Sequence, residues 1–438
     1  MSTGPSSADP LGAVDPASPA DVRVVGPLVV RTVAIEDPGP LLALLPGDGD
    51  LAWVRRGDGL VGWGRAAELR VDGADRFRLA SAWWAELVSS AVVRDEVRLP
   101  GSGLVAFGSF AFADRPGDSV MAVPQVVVGR KDGTTWVTTI SQGGLTPPPD
   151  LAPATPPTAP ADVTFADAHL DGERWQSVVA EAVRRIEAGE LEKVVLARDL
   201  LATTDAPLDV RWPVLRLAEQ YPMCWTFHVD GMFGATPEML VRRERGLVTS
   251  RVLAGTIRRT GDDHRDLALA AALARSSKDL EEHEYAVRSV AHALAPHCSS
   301  MNVPESPFVL HLPNVMHLAT DVAGVVPDTD PVSSLELAAA LHPSAAVGGT
   351  PTPAAQELIA ELEGMDRGRY AGPVGWLDAD GDGEWGIALR SAELTPDGRA
   401  VRLFAGCGIV ADSDPAAELA EAQAKFVPVR DALVAPAP

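Results

Sequence analysis

Only four of the 37 basic residues in this 438-residue chain are lysines, namely Lys131, Lys193, Lys278 and Lys425; the rest are arginine. A lysine can give up its proton and act as a base, whereas an arginine keeps its charge at every working pH. Lys193 opens the apolar run "EKVVLAR" (192–198), where alternation puts Lys193, Val195 and Ala197 on one face and Val194, Leu196 and Arg198 on the other. Glu238 follows Pro237 in "FGATPEML" (233–240), and a carboxyl held beside Met239 and Leu240 is a candidate general acid. Glu282, in "SSKDLEEHEYAV" (276–287), shares a helix face with Tyr285, Ala286 and Ser289, away from the apolar stripe of Leu280, Val287, Val290 and Leu294. In "DSDPAAELAEAQAKF" (412–426), Glu418, Glu421 and Lys425 recur at i, i+3 and i+7 along one stripe. That spacing suits a metal-binding carboxylate with a lysine close by. Each stretch also has an ordinary account. These are a polar strand end beside Glu192, a first-turn glutamate after a proline, a solvated helix face and a surface ion-pair ladder.

The surrounding elements must position these residues. Residues 1–21 are rich in Pro, Ser, Ala and Gly and are expected to be disordered. From about 22 to 145 the pattern is mainly β, with a hairpin across "LAWVRRGDGLVGWG" (51–64) around Gly57-Asp58-Gly59. The segment 146–162 carries seven prolines and reads as an extended loop or connector. Beyond it, helices are expected over 174–190, 264–275, 279–295 and 352–363 and from about 415, with Ser277 or Asp279 capping the third and Pro415 opening the last. Strands are expected at 193–198, 223–229 and 232–234, around "RRERGLVTSRV", near 308–326, around "WLDADGDGEWGIALR" and in "AVRLFAGCGIV".

Several functions are excluded or disfavoured. A formal net charge of -23 argues against nucleic acid or an anionic membrane as partner. Three cysteines, Cys224, Cys298 and Cys407, are odd in number and widely spaced, which suits a reducing compartment. No uncharged apolar run reaches the ~18 residues of a membrane span, and "MSTGPSSADP" is no signal peptide, so a cytoplasmic protein is expected. "DADGDGEWGIALR" (378–390) begins like a calcium loop but has Leu389 at its twelfth position, so it reads as a turn between strands. "GCG" (406–408) is too short for a dinucleotide fingerprint.

Eight stretches in order resemble the chorismate-utilising enzymes, a family that includes isochorismate, salicylate, anthranilate and aminodeoxychorismate synthases. They are "EKVVLAR", "FGATPEML", "RVLAGTIRR", "SSKDLEEHEYAV", "HPSAAVGGTP", "MDRGRYAGPVGW", "ALRSAEL" and "RLFAGCGIV" with the "DPAAELAEAQAK" that follows, within roughly 165–434. The resemblance implies a single large α+β or α/β domain over 22–434, made of two similar halves with packed, mostly antiparallel sheets and helices outside. Residues 146–162 would be a mobile loop within it and 163–434 would carry the site. It implies Lys193 as general base, Glu238 as general acid, and Glu282 and Glu421 as magnesium ligands with Glu418 nearby. Gly255, Thr256, His317, Tyr370, Arg390, Gly406 and Lys425 would hold the substrate. A dianionic substrate would need Arg390, Lys425 and the metal to offset the acidity of the chain. Members that add ammonia at C2 typically lack a basic residue at the Lys193 position, and Ala346 matches isochorismate synthases where salicylate synthases usually have threonine. The expected activity is therefore magnesium-dependent conversion of chorismate to isochorismate by a monomer, its product feeding menaquinone or siderophore synthesis. A salicylate synthase and a non-catalytic binding protein on the same fold are the alternatives.

Overall fold

Alternating apolar runs become the strands of two large, mostly antiparallel sheets in the computed structural model of the chain. It describes residues 21–435, apart from 24–25, 48, 116, 313–314 and 330. Of residues 1–21, expected to be disordered, Asp21 instead begins the strand Asp21–Arg23, and the rest lie outside that set. Among the described residues one sheet has 13 strands and the other 11. In the 13-stranded sheet, Lys193–Thr204 pairs with Ala400–Ile409, and Trp225–Val229 pairs with Leu51–Arg55 from the N-terminal third. In the 11-stranded sheet, Pro373–Asp378 likewise pairs with Val105–Ser109. Residues before and after the proline-rich 146–162 segment, itself without helix or strand, thus build both sheets together.

The facing surfaces of the sheets enclose one aromatic-rich core that includes Trp53, Phe107, Trp136, Phe227 and Trp385. A second core lies between the 13-stranded sheet and the helices Arg211–Gln220 and Pro415–Leu433, where Val214, Leu217, Phe426 and Leu433 meet Phe233 and Leu403. Burial of this much apolar surface is the main favourable term in folding.

Four sequence expectations need correction. The N-terminal region read as β contains the helix Arg76–Ser90, whose Trp83 and Trp84 resemble strand residues. Its Ala80, Trp83, Trp84 and Leu87 form one buried face, and the helix packs on a second unexpected helix, Ser334–Leu341. That second helix is fixed by a reciprocal capping box between Ser333 and Glu336. The turn of the 51–64 hairpin falls on Arg56-Gly57, both at positive φ (55° and 86°), as a two-residue primed turn requires. The cap of Ser277–Leu294 is Ser276, whose hydroxyl accepts from the Asp279 N–H, rather than Ser277 or Asp279. By contrast, Asp378 closes the expected turn by accepting from the Asp380 and Asp382 N–H groups.

Candidate active site

Two places where the chain crosses between the sheets create the site. Met232–Thr236 belongs to the 13-stranded sheet and Met239–Glu244 to the 11-stranded one, so Pro237 and Glu238 form the crossing between them. The glutamate therefore stands in neither a strand nor a first helical turn, and only 6% of its surface is exposed. Gly383–Ile387 and Ser391–Leu394 make the second crossing, in the opposite direction, through Leu389 and Arg390. Arg390 sits at φ 50°, and its carbonyl accepts from the Ala235 N–H at 3.2 Å, which ties the two crossings together.

Beside them lies a cavity of about 250 Å³ lined by Lys193, Glu238, His317, Arg390, Glu421 and Lys425, among others. The remaining substrate residues expected from the sequence, Gly255, Thr256, Ala346, Tyr370 and Gly406, also line it, as does Glu418. Glu282 belongs to the helix Ser277–Leu294, but its side chain lies outside the described residues. Alternation in the Lys193 strand holds as expected: Lys193 and Val195 face the cavity while Val194 and Leu196 enter the core.

The carriers of these side chains are held by specific contacts. The Glu192 N–H donates to the Thr350 carbonyl and the Val195 N–H to the Gly348 carbonyl, both at 2.8 Å, so the 346–350 loop lies along the Lys193 strand. Across that strand, Ala197 pairs with Gly406. Only glycine fits at 406, because a β-carbon there would come 2.6 Å from the Leu196 carbonyl oxygen. The Gly406 carbonyl accepts from Lys425 Nζ at 2.9 Å, and Lys425 also pairs with Glu421 at 2.6 Å. Pairing of Leu247–Arg258 with Val315–Val325 shifts register between Ala254 and Thr256. Gly255 takes up the shift at φ 73°, a conformation natural to glycine. The resulting register sets Thr256 opposite His317, with its hydroxyl 3.0 Å from His317 Nδ1. Nε2 of the same ring is buried and, among the described residues, has no partner.

The electrostatics separate two kinds of group. Burial pushes the Glu238 carboxyl up to about 8, despite the opposing pull of Arg390, Lys193 and Lys425. Burial, with Arg390 and Lys425, pushes His317 down to about 3, so its ring is neutral. Burial also raises the Tyr370 phenol, which stacks on Phe404 at 5.0 Å. On the helix Pro415–Leu433, burial and the nearby Glu421 hold Glu418 above the usual carboxylate range against a hydrogen bond from Ser413. Burial works in the same sense on Glu421, but Lys425 and Arg390 outweigh it and hold the group below that range. For Lys425, burial pulls downward, and the attraction and hydrogen bond of Glu421 help to hold the group above its ordinary range.

Glu418 and Glu421 offer carboxylate oxygens within 4.8 Å of each other and of Cys407 Sγ. Hard oxygen donors fit magnesium. The thiol is a different matter: burial pushes it up to about 12, and it donates to the Glu418 carbonyl. A cation beside Glu418 would relieve the cost of ionising that half-buried carboxyl.

Sequence reasoning missed the buried pair Glu363–Arg367, 2.5 Å apart. Glu363 accepts from the Ala197 N–H, while Arg367 donates to the Val195 and Val347 carbonyls and lines the cavity. The pair joins the Lys193 strand to the 346–350 loop. Its signal was the i, i+4 spacing of opposite charges, which ordinarily marks a surface bridge. Cys407 was passed over as part of the glycine pattern; Asp279 and Ser413, also on the cavity wall, gave no signal beyond capping and turn chemistry.

The two crossed sheets and this cavity define a chorismate-binding fold. A family model described as chorismate binding enzyme matches residues 52–143 and 150–434, and the chain belongs to that family. It is 44% identical to a Mycobacterium tuberculosis protein provisionally named isochorismate synthase MenF, over 56% of this chain and 68% of the relative. Isochorismate synthase DhbC of Bacillus subtilis is 41% identical over 58% of this chain and 66% of its own. Among solved structures, a Bacillus anthracis protein provisionally described as a 2,3-dihydroxybenzoate-specific isochorismate synthase, DhbC, superposes with a TM-score of 0.73 at 32% identity. That match covers 90% of this chain and 98% of that one. No helix among the described residues is long and apolar enough to cross a membrane.

Proposed function

We propose that the protein is an isochorismate synthase, adding water at C2 of chorismate and expelling the C4 hydroxyl. The observation that carries this reading is the joint presence of Lys193 and Glu238 in the lining of one cavity, with the glutamate's proton retained up to about pH 8. Lys193 takes a proton from the attacking water as its oxygen bonds to C2. The ring double bonds shift, the C4–O bond breaks, and Glu238 gives its proton to the departing hydroxyl, which leaves as water. One water enters and one leaves, so the net reaction is an isomerisation. A proton-loaded carboxyl and a base on the same cavity are what such a step needs.

Arg390 and Lys425 hold the substrate carboxylates, and His317 offers Nε2 to an oxygen near the ring. Tyr370 and the backbone at Gly255 and Gly406 shape the remaining wall, with Ala346 keeping the ring edge uncrowded. Glu421 and Glu282, with Glu418 beside them, would hold magnesium, which would supply positive charge for the substrate carboxylate. The protein works as a monomer in the cytoplasm, on a free small molecule.

Incubation with chorismate and magnesium tests this directly. Isochorismate is the expected released product near neutral pH. Salicylate as main product would replace the reading with the pyruvate-eliminating one, and no turnover would leave a binding protein. Activity is expected to disappear in EDTA and return with magnesium but not with calcium, whose larger and looser shell fits poorly. Full activity in EDTA would remove the metal from the scheme.

A further inference from the structure

Two further cavities flank the catalytic one, and they differ in charge. The first, of about 250 Å³, shares Lys193 and Val410 with it and is otherwise rimmed by Glu192, Glu281 and Asp412 beside Tyr285. Three carboxylates against one lysine make this mouth anionic. The second, also about 250 Å³, shares Thr256, Glu421 and Lys425 with the catalytic cavity and opens past Arg258, Val315 and Val427. Here Glu421 is already paired with Lys425, so Arg258 leaves the mouth with a net positive charge.

Arg258 ends the strand Leu247–Arg258 and is exposed. The next residue, Arg259, is bound to Asp266 at 2.8 Å, whereas Arg258 makes no ion pair among the described residues. Thr256, two residues earlier on the same strand, carries the wall on to Lys425 and Arg390. A dianion moving inward would therefore meet Arg258, then Lys425, then Arg390. Through the other mouth it would pass three carboxylates to reach Lys193. In a chain of net charge -23, a local cation at one mouth decides which route a dianion takes.

We propose that the substrate reaches the catalytic cavity through the Arg258 mouth and that Arg258 is a steering residue, acting on capture and not on chemistry. This rests on the chorismate reading above. With wild-type turnover of chorismate established first, failure of that reading is distinguished from failure of this one.

The experiment compares Arg258→Gln and Arg258→Glu with Asp412→Asn at low ionic strength. A unit charge several ångströms from a dianion in water is worth about 3–10-fold in capture. The glutamine variant is expected to lose about that much in kcat/KM, and the glutamate variant more, with kcat within about twofold of wild type and Tm unchanged. The deficit should shrink in 0.5 M salt, where exposed charges are screened. Asp412→Asn should stay within about twofold of wild type. Unchanged kcat/KM in both Arg258 variants would overturn the proposal. So would a deficit that salt does not diminish, an equal loss in kcat, or a several-fold gain in kcat/KM from Asp412→Asn, which would mark the acidic mouth as the route.

Discussion

Replacing Lys193 with arginine is expected to lower kcat by about 10²–10⁴-fold, the usual cost of losing a general base. The substitution keeps the positive charge and a long side chain, so a structural cation at the start of the 193–204 strand would tolerate it. The strand itself depends on backbone pairing with Ala400–Ile409 and on the Glu363–Arg367 pair, none of which involves the Lys193 side chain. Thermal stability should therefore hold, and KM should change far less than kcat. What arginine cannot do is give up a proton to solvent and take one from water. Glutamine at the same position, without charge or basicity, should fall at least as far. An arginine variant with near-normal kcat would reduce Lys193 to a charge on a strand end and withdraw the water-activation step.

The composition itself made Lys193 conspicuous, because a chain that uses arginine almost everywhere has few neutral reasons to place a lysine. Pro415 and the stripe through Glu418, Glu421 and Lys425 were equally legible, since a helix start and an i, i+3, i+7 spacing are local properties. Glu238 was legible as a residue type but not as a place. That Pro237 and Glu238 form the passage from one sheet to the other depends on which strands pair, and pairing is long-range. The Thr256–His317 contact likewise depends on a one-residue register shift at Gly255, invisible without the partner strand. Glu363 and Arg367 show the limit most plainly. A helix-spaced acid and base look alike in sequence whether they face water or, as here, sit at 1% and 2% side-chain exposure holding two active-site segments together. Local rules located most of the chemistry, and topology decided which pieces meet.

Glu238→Gln should separate function from stability at a single atom pair. Gln keeps the shape of the protonated carboxyl but has no proton to give the departing hydroxyl, so kcat is expected to fall by about 10²–10⁴-fold. In the wild type, kcat/KM should decline as pH rises through about 8, where the free enzyme loses the Glu238 proton. The variant's residual activity should lack that limb. Stability should move the other way. The carboxyl ionises near 4.5 when unfolded and near 8 when folded, so the folded state binds more protons between those values. Wild-type stability therefore falls with rising pH across that window, by an amount on the order of 3 kcal/mol at pH 7. A side chain that never ionises escapes this cost. The variant should thus melt above the wild type at neutral pH, with the gap small near pH 5, widening towards pH 8 and level beyond it. Melting curves that coincide across that range would mean that Glu238 ionises freely in the fold. A carboxyl that sheds its proton so easily could not serve as the acid, and the leaving hydroxyl would need another donor.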